Sequence, residues 1–160
     1  MNLLRINFQE LYERHLCRHS QYGINVIHLA TVVGTYLALF GIIHSFFESW
    51  WMLLALPIPY CLALVFNIPL RVFMVIVAFM LCFFALFFSI PLLPIWLYII
   101  LIVLFYKIQA WSHKVYSVEE DMIEFNEKYR KGPALFVLLS LYELPILLNY
   151  LVFDRKNWSA

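Results

Sequence analysis

Five long apolar stretches restrict what this chain can fold into. They cover residues 24–47, 50–66, 72–90, 92–111 and 134–153. A helix that crosses the hydrocarbon layer of a membrane needs about 20 apolar residues, within a working range of about 17 to 25. Each stretch meets this requirement. The sequence therefore predicts an all-α fold, a polytopic membrane bundle of about five transmembrane helices.

The composition supports a membrane location and excludes several other classes of protein. Of 160 residues, 64% are hydrophobic and 13% are charged, whereas soluble domains are about half apolar and about a quarter charged. A soluble domain of this length has too little interior to bury so much apolar surface. This excludes an ordinary soluble enzyme, a disordered chain and a coiled coil, and the length favours one membrane domain over residues 1–160.

The positive charges predict how the bundle is oriented. With the N-terminus in the cytoplasm, five spans place nine Lys and Arg residues inside and only Arg155 and Lys156 outside. Cytoplasmic loops carry such an excess, so we expect an integral protein of the endoplasmic reticulum or a bacterial inner membrane with its C-terminus on the opposite side. A four-span alternative, with 50–66 re-entrant at its prolines, loses this bias. A net charge of +1 argues against a nucleic-acid partner.

Two amphipathic segments lie outside the predicted spans. Residues 2–20 place apolar side chains among charges at an approximately helical spacing. In residues 118–131 the apolar positions recur on one helical face, and Ser117 with Glu120 forms a capping-box pattern. Both segments are predicted to be interfacial helices on the membrane surface. For 118–131 a solvated connector is the alternative.

Histidines gather at one predicted depth. Four of the five fall at or near the cytoplasmic face, namely His15, His19, His28 and His113, and His44 lies at the other end. An imidazole in hydrocarbon is costly unless it has a partner inside the protein. Neutral imidazole binds iron, zinc, copper and nickel. The four histidines therefore predict a metal site with an open position; the alternative is that each one bonds a headgroup, a carbonyl or water.

Polar side chains accompany these histidines. Three of them precede a histidine by three or four residues: Tyr12, Asn25 and Gln109. Residues with this spacing share one face of a helix. Hydrogen bonds from such neighbours determine which imidazole nitrogen is free to bind a metal. We expect these side chains to orient the ligands, and packing or helix-end hydrogen bonding is the alternative.

Glu143 is a carboxylate inside an apolar span. It lies ten residues past Pro133, which is about 15 Å along a helix and near the bilayer centre. A carboxylate there is protonated or paired. It is a metal ligand, a proton carrier, or a carboxylic acid bonded to Tyr142 or Asn149. As a proton carrier it would belong to a non-catalytic membrane protein that binds lipid, acts as a scaffold or performs proton-coupled transport.

Two stretches carry a family resemblance. In residues 12–28 an aromatic residue, histidines and an asparagine lead into the first span, and Gln109-Ala-Trp-Ser-His113 is followed later by Pro133-Ala134-Leu135. Together with the chain length and the order of elements, they resemble the membrane family that includes the yeast endoplasmic-reticulum alpha-dioxygenase of 2-hydroxy fatty acids.

The resemblance implies an enzyme that uses dioxygen and iron(II), written Fe(II), as its cofactor. Its substrate would be a 2-hydroxy fatty acid, which loses its carboxyl group and is shortened by one carbon. The fatty-acyl tail would lie among the spans and the polar head at the interface. His19, His28 and His113 would be the catalytic metal ligands, with His15 as a further candidate. The residues also leave open a haem protein with His28 and His113 as axial ligands.

Overall fold

The chain forms a helical bundle. A computed structural model describes residues 6–47, 49–116 and 133–158. The helices in these ranges are α1 (Phe8–Arg18), α2 (Tyr22–Phe47), α3 (Trp50–Leu54), α4 (Pro57–Val65), α5 (Leu70–Ser89), α6 (Ile95–Tyr116) and α7 (Pro133–Phe153), followed by a 3-10 turn, Arg155–Asn157. Four of them, α2, α5, α6 and α7, are long and apolar enough to cross a membrane. The predicted all-α membrane architecture is confirmed.

The second predicted span, residues 50–66, is divided into two helices, in keeping with the bend that its prolines predict. It consists of α3 and α4, which are separated by a break at residues 55–56. Pro57 begins α4 because proline has no amide donor for a preceding turn and favours the first helical position. The Tyr60 hydroxyl donates to the carbonyl of Leu141 at 3.0 Å, so α4 packs against α7.

The α2–α6 pair is the most extensive helix contact in the described ranges. Three glycines of α2 face aromatic rings of α6: Gly23 faces Tyr116, Gly34 faces Phe105 and Gly41 faces Tyr98. As residue numbers rise along α2 they fall equally along α6, so the helices are antiparallel in one register. Close approach needs glycine at these positions, because a side chain would occupy the space of each ring. This register brings the start of α2 beside the end of α6.

We expect Gly41→Ala to lower the thermal stability of the detergent-solubilised protein. A Cβ atom at Gly41 would lie 2.3 Å from Cζ of Tyr98. That ring is 6% exposed and its hydroxyl accepts from the Leu93 amide at 2.9 Å, so it has little freedom to move. Glycine-to-alanine changes in open helices stabilise by about 1 kcal/mol, whereas overpacking costs about 1–3 kcal/mol. A melting curve therefore shows whether the substitution stabilises or destabilises the protein.

The Tyr98→Ala background is the control for this prediction. Without the Tyr98 ring, Gly41→Ala should not lower the melting temperature, because the two sites are in direct contact and their effects are not additive. A higher melting temperature for Gly41→Ala in the otherwise unchanged protein would contradict the register.

The last helix, α7, runs antiparallel to α2 and therefore in the same direction as α6. Its Glu143 meets His28, and its Tyr150 meets Ser20. The Tyr12 hydroxyl of α1 donates to Asp154 at 2.5 Å. Both ends of the described chain thus meet where α2 begins and α6 ends. The expectation that the membrane separates the two termini does not agree with these contacts, because it required α6 and α7 to cross in opposite directions.

The predicted interfacial segments have different outcomes. Within residues 2–20 the structure has α1, Phe8–Arg18, whose side chains Phe8, Leu11 and Tyr12 are buried. They join a core that is formed mainly with α5 and α7. The predicted helix at 118–131 lies outside the described residues. The outer faces of the long helices carry large exposed apolar side chains, as hydrocarbon requires, with Leu81 at 69% and Phe136 at 72%.

Candidate metal centre

Three of the four predicted ligands come together at the end of the bundle. One ring nitrogen from each of His19, His28 and His113 lies within 4.8 Å of the others. His19 follows α1 as its C-terminal cap, His28 lies near the start of α2 and His113 near the end of α6. The antiparallel α2–α6 register brings the latter two together, and α1 adds the third.

The ring orientations suit convergence on one point. The three centroid separations are 4.8, 4.8 and 4.9 Å, and the interplanar angles are between 66° and 79°. The rings therefore meet edge to face, so that stacking does not explain their contact. Three imidazoles are also the number of protein ligands found in catalytic metal sites, which keep one further position for water or substrate.

Several nitrogens of this cluster are buried without a hydrogen bond. Within the described residues, both ring nitrogens of His19 and Nε2 of His28 make none. A buried polar atom without a partner costs about 1–3 kcal/mol, and native proteins rarely leave one so. A metal ion bound by one lone pair from each ring would remove part of this cost. The donor set therefore fits a metal that accepts imidazole ligands.

His19 is held in the neutral form that binds metals. Burial lowers the pKa of its imidazole well below the usual value, and the neighbouring His15, His28 and His113 lower it further. The ring nitrogen that binds the metal therefore has no proton to lose at neutral pH.

The His28 ring is oriented by two side chains from other helices. Nδ1 of His28 lies 3.2 Å from Oε1 of Glu143 and 3.2 Å from Nε2 of Gln109, and Nε2 of Gln109 donates to that carboxylate oxygen at 2.6 Å. In the tautomer that binds a metal through Nε2, the Nδ1–H group donates to the Glu143 oxygen and the Nε2 lone pair is free. Carboxylate–histidine pairs orient metal ligands in this way. Glu143 thus contacts His28 and Gln109, whereas the sequence suggested Tyr142 or Asn149.

Asn25 shapes the turn between α1 and α2. It is fully buried at 0% exposure. Its Nδ2 donates to the carbonyls of His19 at 2.6 Å and Gln21 at 2.8 Å, and its Oδ1 accepts from Nε2 of His15 at 2.6 Å. The sequence predicted that Asn25 would orient His28. The structure instead has it holding the backbone of His19 and the ring of His15.

Two other expectations about α1 are corrected by these contacts. The ring of His15 stacks on that of His19, with 4.4 Å between the centroids. His15 does not belong to the group of three converging nitrogens, because its Nε2 is hydrogen-bonded to Asn25. Burial lowers the pKa of His15 to about 4, so this ring is neutral as well. Tyr12 was expected to orient His15, but its hydroxyl donates to Asp154. His44 packs against Phe87 at the other end, as expected.

Residues at the end of the chain also reach this site, and sequence reasoning missed them. Tyr150 is bonded to Ser20, next to His19, and Asp154 is 8% exposed. Asp154 lies between an apolar span and two basic residues, so in the sequence it has the pattern of an ordinary solvated helix end. Its burial depends on a contact with a residue 142 positions earlier, and no local pattern signals that contact.

Comparison with known proteins identifies no relative of this chain. No family model matches the chain, and neither the curated proteins nor the solved structures contain a significant match.

Proposed function

We propose that this protein is an iron(II)-dependent dioxygenase of 2-hydroxy fatty acids, with His19, His28 and His113 as the metal ligands. The observation that carries the proposal is the convergence of three imidazoles whose buried nitrogens lack hydrogen-bond partners in the described chain. The choice of iron and substrate rests on the resemblance of two stretches. These stretches contain the same histidines and the Gln109 that contacts Glu143.

A set of three imidazole ligands suits an oxygenase. His19, His28 and His113 would hold the iron and leave the rest of its coordination to a 2-hydroxy acid and dioxygen. Bound iron(II) would supply the redox chemistry and hold substrate and oxidant together. In the overall reaction, one dioxygen converts the 2-hydroxy acid into the acid one carbon shorter, carbon dioxide and water.

The chain's own residues orient the ligands and receive the substrate. Glu143 and Gln109 hold the His28 ring with its Nε2 toward the cluster. Arg18 directly precedes His19 at the end of α1 and is exposed. Its guanidinium suits the carboxylate of a fatty acid that enters from the membrane surface, because arginine pairs with carboxylates through two parallel hydrogen bonds.

An apolar cavity lies farther along the helix pair that carries two of the ligands. It has a volume of about 130 Å³ and is lined by α2, α6, Phe87 near the end of α5 and residues 90–93. Its lining includes Gly34, Leu37 and Phe105. Gly34 lies six residues past His28, which is about 9 Å along a helix. A fatty-acyl tail directed along α2 from the cluster would reach this cavity.

Metal content and oxygen uptake test the proposal. We expect protein purified anaerobically in mild detergent to bind about one iron per chain, as one three-ligand site requires. It should consume dioxygen with a 2-hydroxy fatty acid and release carbon dioxide in equal amount. The same fatty acid without the 2-hydroxyl is the matched control and should give no uptake.

Two results would overturn the proposal. The first is absence of bound iron even after iron(II) is supplied anaerobically. The second is equal oxygen uptake with the control acid, since the substrate hydroxyl would then have no part in the reaction. Absence of metal with lipid co-purification would favour a non-catalytic lipid-binding, scaffold or transport protein, and a Soret band would favour a haem protein.

A further inference from the structure

The position of His19 depends on a turn rather than on a helix. His19 caps α1, and residues 19–21 connect it to α2. Its ring nitrogens make no hydrogen bond within the described chain, so ring contacts with His15, His28 and His113 are what hold its side chain. The hydrogen bonds that align His19 with His28 and His113 act on α1 and on the backbone of this turn.

Tyr150 of α7 acts on that backbone directly. Its hydroxyl donates to the carbonyl of Ser20, the residue after His19, at 2.5 Å. The carbonyl of Asn157 lies 3.3 Å from the same hydroxyl. The side chain is fully buried at 0% exposure. A buried hydroxyl held between two carbonyls has little freedom, so the turn is tied to the end of α7.

A second bond ties the body of α1 to the same region. The Tyr12 hydroxyl donates to Oδ2 of Asp154 at 2.5 Å. Nδ2 of Asn157 donates to that oxygen at 2.7 Å. Burial raises the pKa of Tyr12, and the bond to Asp154 raises it further. The phenol therefore stays protonated as a donor, and α1 is held seven residues before His19.

Trp158 makes two further contacts in the same region. Its Nε1–H donates to the carbonyl of Tyr150 at 3.1 Å. Its ring lies 4.4 Å from that of Tyr22 between centroids, and Tyr22 is the first residue of α2. The residues after α7 thus contact α1 through Asp154 and the start of α2 through Trp158, while Tyr150 of α7 contacts the connection between them.

We infer that Tyr150, Asp154 and Trp158 form a clamp that positions His19 for metal binding. We name these three residues the C-terminal clamp. They are positioning residues, since they contact the α1–α2 region and not the cluster itself. The inference rests on the proposed metal centre. It means that metal affinity is set in part by residues far from the ligands in sequence.

Tyr150→Phe tests the clamp because it removes one hydroxyl and keeps the ring. The matched control is Tyr60→Phe, which removes a hydroxyl bonded to the carbonyl of Leu141, away from the α1–α2 turn. Cobalt(II) is the probe, and its visible absorption reports both affinity and coordination. We expect Tyr150→Phe to weaken cobalt(II) binding about tenfold, the lower end of the range for residues that orient ligands, and Tyr60→Phe to leave it unchanged.

Melting curves of the metal-free proteins separate positioning from general loss of stability. If the clamp acts through His19, Tyr150→Phe should lose cobalt(II) affinity at a temperature at which it and Tyr60→Phe are both fully folded. An unchanged affinity in Tyr150→Phe would overturn the inference, as would an equal loss in Tyr60→Phe.

Hydrogen exchange of the metal-free protein keeps this test independent of the proposed function. Tyr150→Phe should speed amide exchange at residues 19–22 relative to Tyr60→Phe, because the turn loses its bond to α7. Unchanged exchange there would overturn the clamp. If the unsubstituted protein binds neither cobalt(II) nor iron(II), the metal centre fails, and the exchange result alone decides whether the turn is held by α7.

Discussion

We expect His28→Ala and His113→Ala each to abolish iron binding and to leave a protein that remains folded in detergent. Each change removes one of three convergent nitrogens, and two imidazoles hold a metal far less tightly than three. The loss should exceed the range of about 10–100-fold that is typical of residues that only orient a ligand. Iron per chain, measured after anaerobic purification and desalting, checks this result.

His44→Ala is the matched control for these variants. His44 is also on α2, but it packs against Phe87 at the other end of the bundle. It should therefore retain full iron content. Melting curves of all three variants separate loss of the site from loss of the fold. Full iron retention by both His28→Ala and His113→Ala would remove the cluster from consideration as a metal site.

Much of the fold follows from local sequence because the hydrocarbon layer imposes a length. An apolar run of sufficient length satisfies its own backbone as a helix, and this is why α2, α5, α6 and α7 correspond to predicted spans. Residues 50–66 meet the length but contain Pro57, and the helix breaks before it. A hydropathy average does not include the energy that proline costs inside a helix.

The direction of α7 illustrates what charge counting cannot establish. The prediction assumed that successive spans alternate in direction, so that the two chain ends lie apart. The contacts of α7 with His28 and Ser20 give it the same direction as α6. Pairwise contacts between distant residues determine this direction, and a count of Lys and Arg in loops contains no information about such pairs.

Part of the candidate site was predictable, because the position of a residue along a membrane-spanning helix fixes its depth in the membrane. His28 and His113 fall at the same depth on the first and fourth predicted spans, and the α2–α6 register then brings their rings together. Spacing was a poorer guide to side-chain partners. Asn25 bonds His15 and the turn, because the chain reverses at residues 19–21 and α1 folds back beside α2.

We expect Glu143→Ala to lower iron(II) affinity by about 10–100-fold, the range for residues that hydrogen-bond to a metal ligand. The carboxylate accepts from Nδ1 of His28 and from Nε2 of Gln109. Without it, the His28 ring loses the bond that keeps its proton on Nδ1 and its lone pair toward the cluster. Anaerobic iron(II) titration, with melting curves of the metal-free protein alongside, measures the effect.

Glu143→Gln refines this result because it keeps the size of the side chain and removes the charge. Its amide oxygen still accepts from His28, but as a neutral acceptor it makes a weaker bond than a carboxylate does. Its affinity should therefore fall between those of Glu143→Ala and the unsubstituted protein. Glu13→Gln, on the exposed face of α1, is the control and should leave affinity unchanged. If Glu143→Ala binds iron(II) as tightly as the unsubstituted protein, Glu143 does not act through His28, and a proton-carrying role for this carboxylate becomes the better explanation of its place inside an apolar helix.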